Sequence, residues 1–113
     1  MAPKIKFTKE EMVEVALRVV RARGIDGLTA KTMADALGTS TQPIFTGFGS
    51  MDTVKAEVCA AAVSIYDGYI NAGLKEEIPF LGVGVQYIRF AREEPELYRL
   101  LFLTQKHSPA LPE

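Results

Sequence analysis

Between Thr8 and Ser50 the chain repeats one punctuation: a hydroxyl residue able to cap a helix, an apolar stretch of helical period, then glycine. Such spacing limits each helix to a few turns and each connection to a tight turn. Thr8-Lys9-Glu10-Glu11 reads as a capping box, in which the Thr8 hydroxyl accepts from the Glu11 amide and the Glu11 carboxylate reaches back. Met12, Val15, Ala16, Val19 and Val20 follow at helical spacing, and Gly24 is expected to end the helix as a left-handed residue. Thr29 caps a second helix over about Ala30 to Leu37, with Met33, Ala34 and Leu37 facing inward and Gly38 stopping it.

Pro43 decides where the third helix begins. First-turn amides have no intrahelical partner, so proline is tolerated there and harmful later. Ser40 as cap puts Pro43 at the third helical position and the helix at about Thr41 to Thr46, with Ile44, Phe45 and Phe48 supplying apolar contacts. Gly47 and Gly49 are expected to end it. Ser50 caps a long fourth helix through Val54, Val58, Ala61, Ala62, Ile65 and Tyr69 to about Gly73, with Asp52 at its positive end. Pro79 starts a fifth helix to about Glu93, whose inner side is Val83, Tyr87, Phe90 and Ala91. Pro95 opens a last helix carrying Leu97, Leu100, Leu101 and Phe102, and Ser108 to Glu113 form a tail. No strand pattern or repeat interrupts this, so the class is all-α.

The residue inventory narrows the chemistry. A hydrophobic share of 48% is enough for a packed core and too high for a disordered segment. The formal net charge is -1, which gives no overall attraction to nucleic acid. The charge is divided, however: residues 1–50 hold seven basic against five acidic side chains, and residues 51–113 six against nine. A basic head on an acidic body follows. One histidine and one cysteine, with no phosphate-cradling glycine loop and no nucleophile motif, argue against an enzyme and call for no metal or cofactor. Cys59, between Val58 and Ala60, reads as a small buried hydrophobe, and His107 is assigned no role. With no signal-peptide core near the N-terminus and no apolar run of spanning length, the expectation is a soluble, cytoplasmic protein that touches no membrane.

The second and third helices, joined at Gly38-Thr39, match a helix-turn-helix in length and turn chemistry. The wider string is more specific. Gly24-Ile25-Asp26-Gly27-Leu28-Thr29, then Met33 to Ser40, then Ile44-Phe45 and Phe48-Gly49-Ser50 resembles the DNA-binding domain of the TetR family of bacterial transcriptional regulators. Tyr87 to Ala91 followed by Pro95-Glu96-Leu97-Tyr98 looks like the start of that family's ligand-binding domain.

The resemblance implies a helix-turn-helix domain at 1–50, then a helical effector and dimer domain at 51–113. It implies a homodimer on a palindromic operator in double-stranded DNA, and repression relieved by a small-molecule effector. By position, Thr29 and Lys31 would contact phosphate, Ser40 would cap the reading helix, Thr41 and Gln42 at its start would face bases, and Thr46 would touch phosphate or base. Lys4, Lys6 and Lys9 would form a basic arm. Tyr66, Tyr69, Tyr87, Phe90, Leu97, Leu101 and Phe102 would line the effector cavity.

Three positions depart from the family. Phe45 stands where a phosphate-binding tyrosine is usual, Gly47 where histidine is common, and Met51 where lysine commonly opens the fourth helix. Phosphate contacts dominate affinity and its salt dependence, so binding should be weaker and less salt-sensitive than in a typical member. Gln42 can still pair with adenine through two hydrogen bonds. The chain is also short for the family, whose dimer contacts lie chiefly further on. It is read as a fragment or as a short member that pairs through the apolar stretches Val83–Ala91 and Leu97–Leu103. A second reading keeps the fold as a protein- or ligand-binding scaffold that no longer reads DNA.

Overall fold

The computed structural model describes residues 7–103. Lys4, Lys6, His107 and the tail from Ser108 lie outside the described residues. Within them the chain is helical, with no strand: α1 (Lys9–Arg23), α2 (Ala30–Leu37), α3 (Gln42–Phe48), α4 (Met51–Leu74), α5 (Pro79–Glu93) and α6 (Pro95–Tyr98). A 3-10 turn, Ile25–Gly27, follows α1, and a π turn, Arg99–Leu103, follows α6.

The chain divides into two compact units, Met1–Val58 and Cys59–Glu113. The division falls inside α4 rather than at its start. Val54 and Val58, both fully buried, give the first two turns of α4 to the first unit.

In the first unit α1 and α2 start at the side-chain caps the sequence offers. Thr8 Oγ1 accepts from Glu11 N at 3.0 Å while Thr8 N donates to Glu11 Oε1 at 2.8 Å, the reciprocal box expected. Thr29 closes a second box with Thr32: Thr32 N donates to Thr29 Oγ1 at 3.1 Å and Thr29 N donates to Thr32 Oγ1 at 2.9 Å. Thr32 Oγ1 also donates to the Gly27 carbonyl at 2.8 Å, tying α2 to the turn before it. The core is Met12, Val15, Ala16, Leu17, Val19 and Val20 of α1 against Leu28, Met33, Ala34, Ile44 and Phe48. No polar or charged side chain is buried among the described residues.

Two glycines behave differently from expectation. Gly24 ends α1 at φ 78°, ψ 171°, outside the left-handed helical region, and its N–H reaches Val20 O at 2.7 Å. Gly47 does not end α3. It lies inside the helix, where an added Cβ would meet Met12 Cε at 2.9 Å, so its smallness serves close packing on α1. Gly49, at φ 83°, ends the helix, and its N–H bonds to Phe45 O at 2.9 Å.

The second unit packs the last turns of α4, α5 and α6 around Phe90, Leu97 and Leu100, all nearly or fully buried. Gly73 and Gly82 let α4 and α5 touch backbone to backbone: a Cβ on Gly73 would stand 2.5 Å from Gly82 O. The inner side of α5 is as expected, with Phe90 buried and Val83, Tyr87 and Ala91 half-buried. After Tyr98 the helix widens into its π turn, which the apolar run Leu97 to Phe102 did not foretell. No helix of the described residues is long and apolar enough to cross a membrane.

Candidate nucleic-acid interface

The connection from α2 to α3 is short and set by one residue. Gly38 adopts φ 76°, ψ 32°, the left-handed conformation in which its own N–H and that of Thr39 bond back to the Ala34 carbonyl at 2.9 and 3.0 Å. Three residues later α3 is under way.

That helix starts one residue later than the Ser40 cap predicts. Thr41 is the cap residue, and its carbonyl accepts from Ile44 N at 3.1 Å and Phe45 N at 3.3 Å. The Ser40 hydroxyl instead accepts from Gln42 N at 3.3 Å, a local turn bond two residues on. Pro43 therefore occupies the second helical position, where no bond is lost, and the helix extends past Thr46 to Phe48.

One face of α3 is sunk and the other is free. Ile44 and Phe48 are buried; Gln42, Phe45 and Thr46 are exposed. Gln42 and Thr46, four residues apart, are brought together, Gln42 Nε2 donating to Thr46 Oγ1 at 3.1 Å. This bond fixes the amide's direction but uses only one of its hydrogens. The carbonyl oxygen and the second N–H remain to pair with a base edge. Phe45, 41% exposed, adds an apolar surface between them with no hydroxyl to offer.

Cationic help comes from outside α3, which carries no basic residue. Lys31, in the first turn of α2, is exposed but pairs with Asp35 at 3.5 Å, so part of its field is cancelled. Thr29 beside it is exposed and spends its hydroxyl on the cap. Lys9 places its ammonium 5.8 Å from the centre of the Phe48 ring, next to the far end of α3. Sequence reasoning put Lys9 in a terminal arm; the structure makes it part of α1, held over a residue of α3.

The residues expected to line an effector cavity cluster around one another. Tyr66 stands edge-on to Phe90 and to Phe102, each at 5.2 Å between ring centres, and Tyr69 packs on Phe90 at 5.4 Å. Tyr98, which sequence reasoning passed over, joins Tyr87 at 5.8 Å and Phe102 at 5.3 Å. Leu101 is half-buried in the π turn. Of this group only Tyr66 and Tyr87 border a surface depression, of about 500 Å³, whose other walls are Phe80, Leu81, Val83, Gly84, Val85 and Ile88.

The phenols are hydrogen-bonded. Tyr69 donates to Glu93 Oε1 at 2.7 Å, and Arg89 Nε donates to Glu93 Oε2 at 3.0 Å. The Tyr69 phenol is pushed up to about 12, first by that bond, and the Glu93 carboxyl is held below its ordinary value by the same bond and by Arg89. Tyr87 donates to Tyr98 Oη at 3.2 Å, which raises its phenol. Cys59 is half-buried rather than the buried hydrophobe expected, and this partial burial raises its thiol. Among the described residues no cluster of three His, Cys, Asp or Glu is placed to hold a metal ion.

No family model, no curated protein and no solved structure matches this chain.

Proposed function

We propose that this chain is a sequence-specific DNA-binding regulator of the TetR kind, most simply a repressor, which reads a palindromic operator through α3 of two copies. It is a binding protein rather than an enzyme. The observation that supports this best is the exposed pair Gln42 and Thr46, joined at 3.1 Å on the free face of a helix whose other face is buried. In this reading α2, the Gly38 turn and α3 form a helix-turn-helix, α3 lies in the major groove, and the Gln42 amide pairs with an adenine edge. Thr29, Lys31 and Lys9 supply the backbone contacts, and a small molecule bound in the second unit shifts the population of head spacings that fit the operator.

A second reading is favoured by specific features. Lys31 is compensated by Asp35, α3 carries no cation, and Phe45 exposes a bare ring. These suit a protein- or ligand-binding scaffold that no longer grips phosphate. Selection from random duplex DNA at low salt decides between them, with Gln42→Ala as control. An enriched palindrome that the control fails to enrich supports DNA reading. Selection that returns nothing, from a folded protein, transfers the proposal to the scaffold. Loss of a two-bond base contact costs about 1–3 kcal/mol of discrimination, so the control should relax preference at its base by roughly 5- to 150-fold.

A further inference from the structure

The free face of α3 is small. Gln42, Phe45 and Thr46 are its exposed side chains, while Ile44 and Phe48 are buried. Two of the three are polar and already joined, Gln42 Nε2 donating to Thr46 Oγ1 at 3.1 Å. The third is a bare ring. Of the large apolar side chains described in the first unit, only Phe45 is exposed. At about 3.6 residues per turn, Thr46 falls to one side of Gln42 and Phe45 to the other. The bond to Thr46 draws the amide away from the ring, whose surface stays open.

Chemistry limits what such a ring can read. It has no hydrogen-bonding group, so it cannot hold a phosphate oxygen. In the major groove the base pairs present hydrogen-bond donors, acceptors and a single apolar group, the 5-methyl of thymine. An aromatic ring in solvent beside a base-reading amide is matched there by that methyl alone. We propose that Phe45 is a specificity-determining residue, its ring reading the 5-methyl of a thymine in the base pair next to the one paired by Gln42.

The spacing along the helix agrees. An α-helix rises about 1.5 Å per residue, so Phe45 stands about 4.5 Å along the axis from Gln42. Successive base pairs are about 3.4 Å apart. This role rests on the regulator reading and gives each half-site two adjacent letters, an adenine set by Gln42 and a thymine set by Phe45. A ring on a methyl releases no counterion, so its share of the affinity does not depend on salt. The side chain that offers nothing to phosphate adds sequence preference instead.

The test uses the full 113-residue chain and the duplex that selection enriches, titrated at low salt by fluorescence anisotropy. In each half-site one thymine at a time is replaced by deoxyuridine, which keeps the pairing and lacks only the methyl. At the thymine next to the Gln42-dependent adenine, methyl removal should weaken wild-type binding about fourfold per half-site, the effect of burying one such carbon group. Phe45→Ala, at an exposed position, should keep its helical circular dichroism and bind the thymine duplex with a similar loss. It should no longer distinguish thymine from deoxyuridine, and its loss should be the same at low and moderate salt. Methyl removal without effect at every thymine overturns the proposal. So does a methyl dependence that persists in Phe45→Ala, which would assign it to the methyl of Thr41 or Thr46. A Phe45→Ala loss that shrinks as salt rises overturns it too, by placing the ring against the backbone. Selection that enriches no sequence sinks the regulator reading and this role with it. An enriched palindrome indifferent to the methyl sinks this role alone.

Discussion

Of the ten large apolar side chains exposed among the described residues, Phe45 alone belongs to the first unit and nine belong to the second. The first unit is made of short helices with a side-chain cap or glycine at most ends, and its apolar residues close on themselves. In the second, α5 is apolar on two sides. One side meets Tyr66 and Tyr69 through Phe90; the other meets solvent. Self-sufficient packing suits a part whose free face does the recognition. A surplus of apolar surface suits a part that holds a partner.

That contrast predicts where truncation hurts most. Phe90 is fully buried under two tyrosine rings, so Phe90→Ala should destabilise the second unit by about 3–5 kcal/mol. All four tyrosines lie beyond Val58, so tyrosine fluorescence during urea unfolding follows that unit by itself. Ile88→Ala, on the other side of the same helix, should cost far less in the same experiment. Equal losses would mean that both sides of α5 are buried in solution within each copy.

The glycines sharpen the comparison at the next level. Gly73→Ala would drive a methyl to 2.5 Å from a backbone carbonyl oxygen, which cannot swing away, and should cost about 1–3 kcal/mol. Gly47→Ala faces only the terminal methyl of Met12, a flexible chain that can turn. The better helix propensity of alanine, about 1 kcal/mol, should offset the crowding and leave stability nearly unchanged. Thermal melts of the two variants should therefore diverge. A large loss at Gly47 would show the α1–α3 contact to be tighter than the α4–α5 contact.

This difference also explains what could be read in advance. Caps and prolines are local signals, so α1, α2 and α5 begin and end where Thr8, Thr29, Pro79 and the flanking residues place them. Gly47 looks like a terminator in sequence because its reason, the methyl of Met12 some thirty-five residues away in the chain, is tertiary. The Ser40 hydroxyl is an equally good cap or turn acceptor, and only packing of Ile44 and Phe48 selects the later start. The candidate reading residues were legible through position; the Gln42–Thr46 bond and the Lys9–Phe48 stacking were not, because neither leaves a pattern in composition. The outward side of α5 was half legible, as an excess of apolar residues without a direction.

Smaller effects test the caps. Thr29 holds the first turn of α2 through a reciprocal pair with Thr32, and Thr29→Ala should cost about 1 kcal/mol. Thr29→Ser, which keeps the oxygen, should recover most of it. If Thr29 also binds phosphate, Thr29→Ala weakens operator affinity beyond what its stability loss accounts for, and Thr29→Ser restores both.

The smallest effect is a pH dependence confined to the second unit. Tyr69 donates to Glu93, and this bond raises the phenol to about 12 and lowers the carboxyl. An unfolded tyrosine titrates at about 10. Between these values the folded chain holds a proton that the unfolded chain has lost, so stability must fall as pH rises through that window. Glu93 works in the opposite sense: its contribution is present above the unfolded carboxylate value and disappears as pH falls through the lowered one. Glu93 is exposed and Tyr69 half-buried, so solvent screens the pair and the slopes should be shallow. Tyr69→Phe should flatten the alkaline slope measured by urea titration from pH 9 to 12 and soften the acid one. Identical profiles for wild type and variant would mean that the bond is open in solution. The edge of the second unit would then be held by ring contacts alone, as the first unit is held by its apolar core.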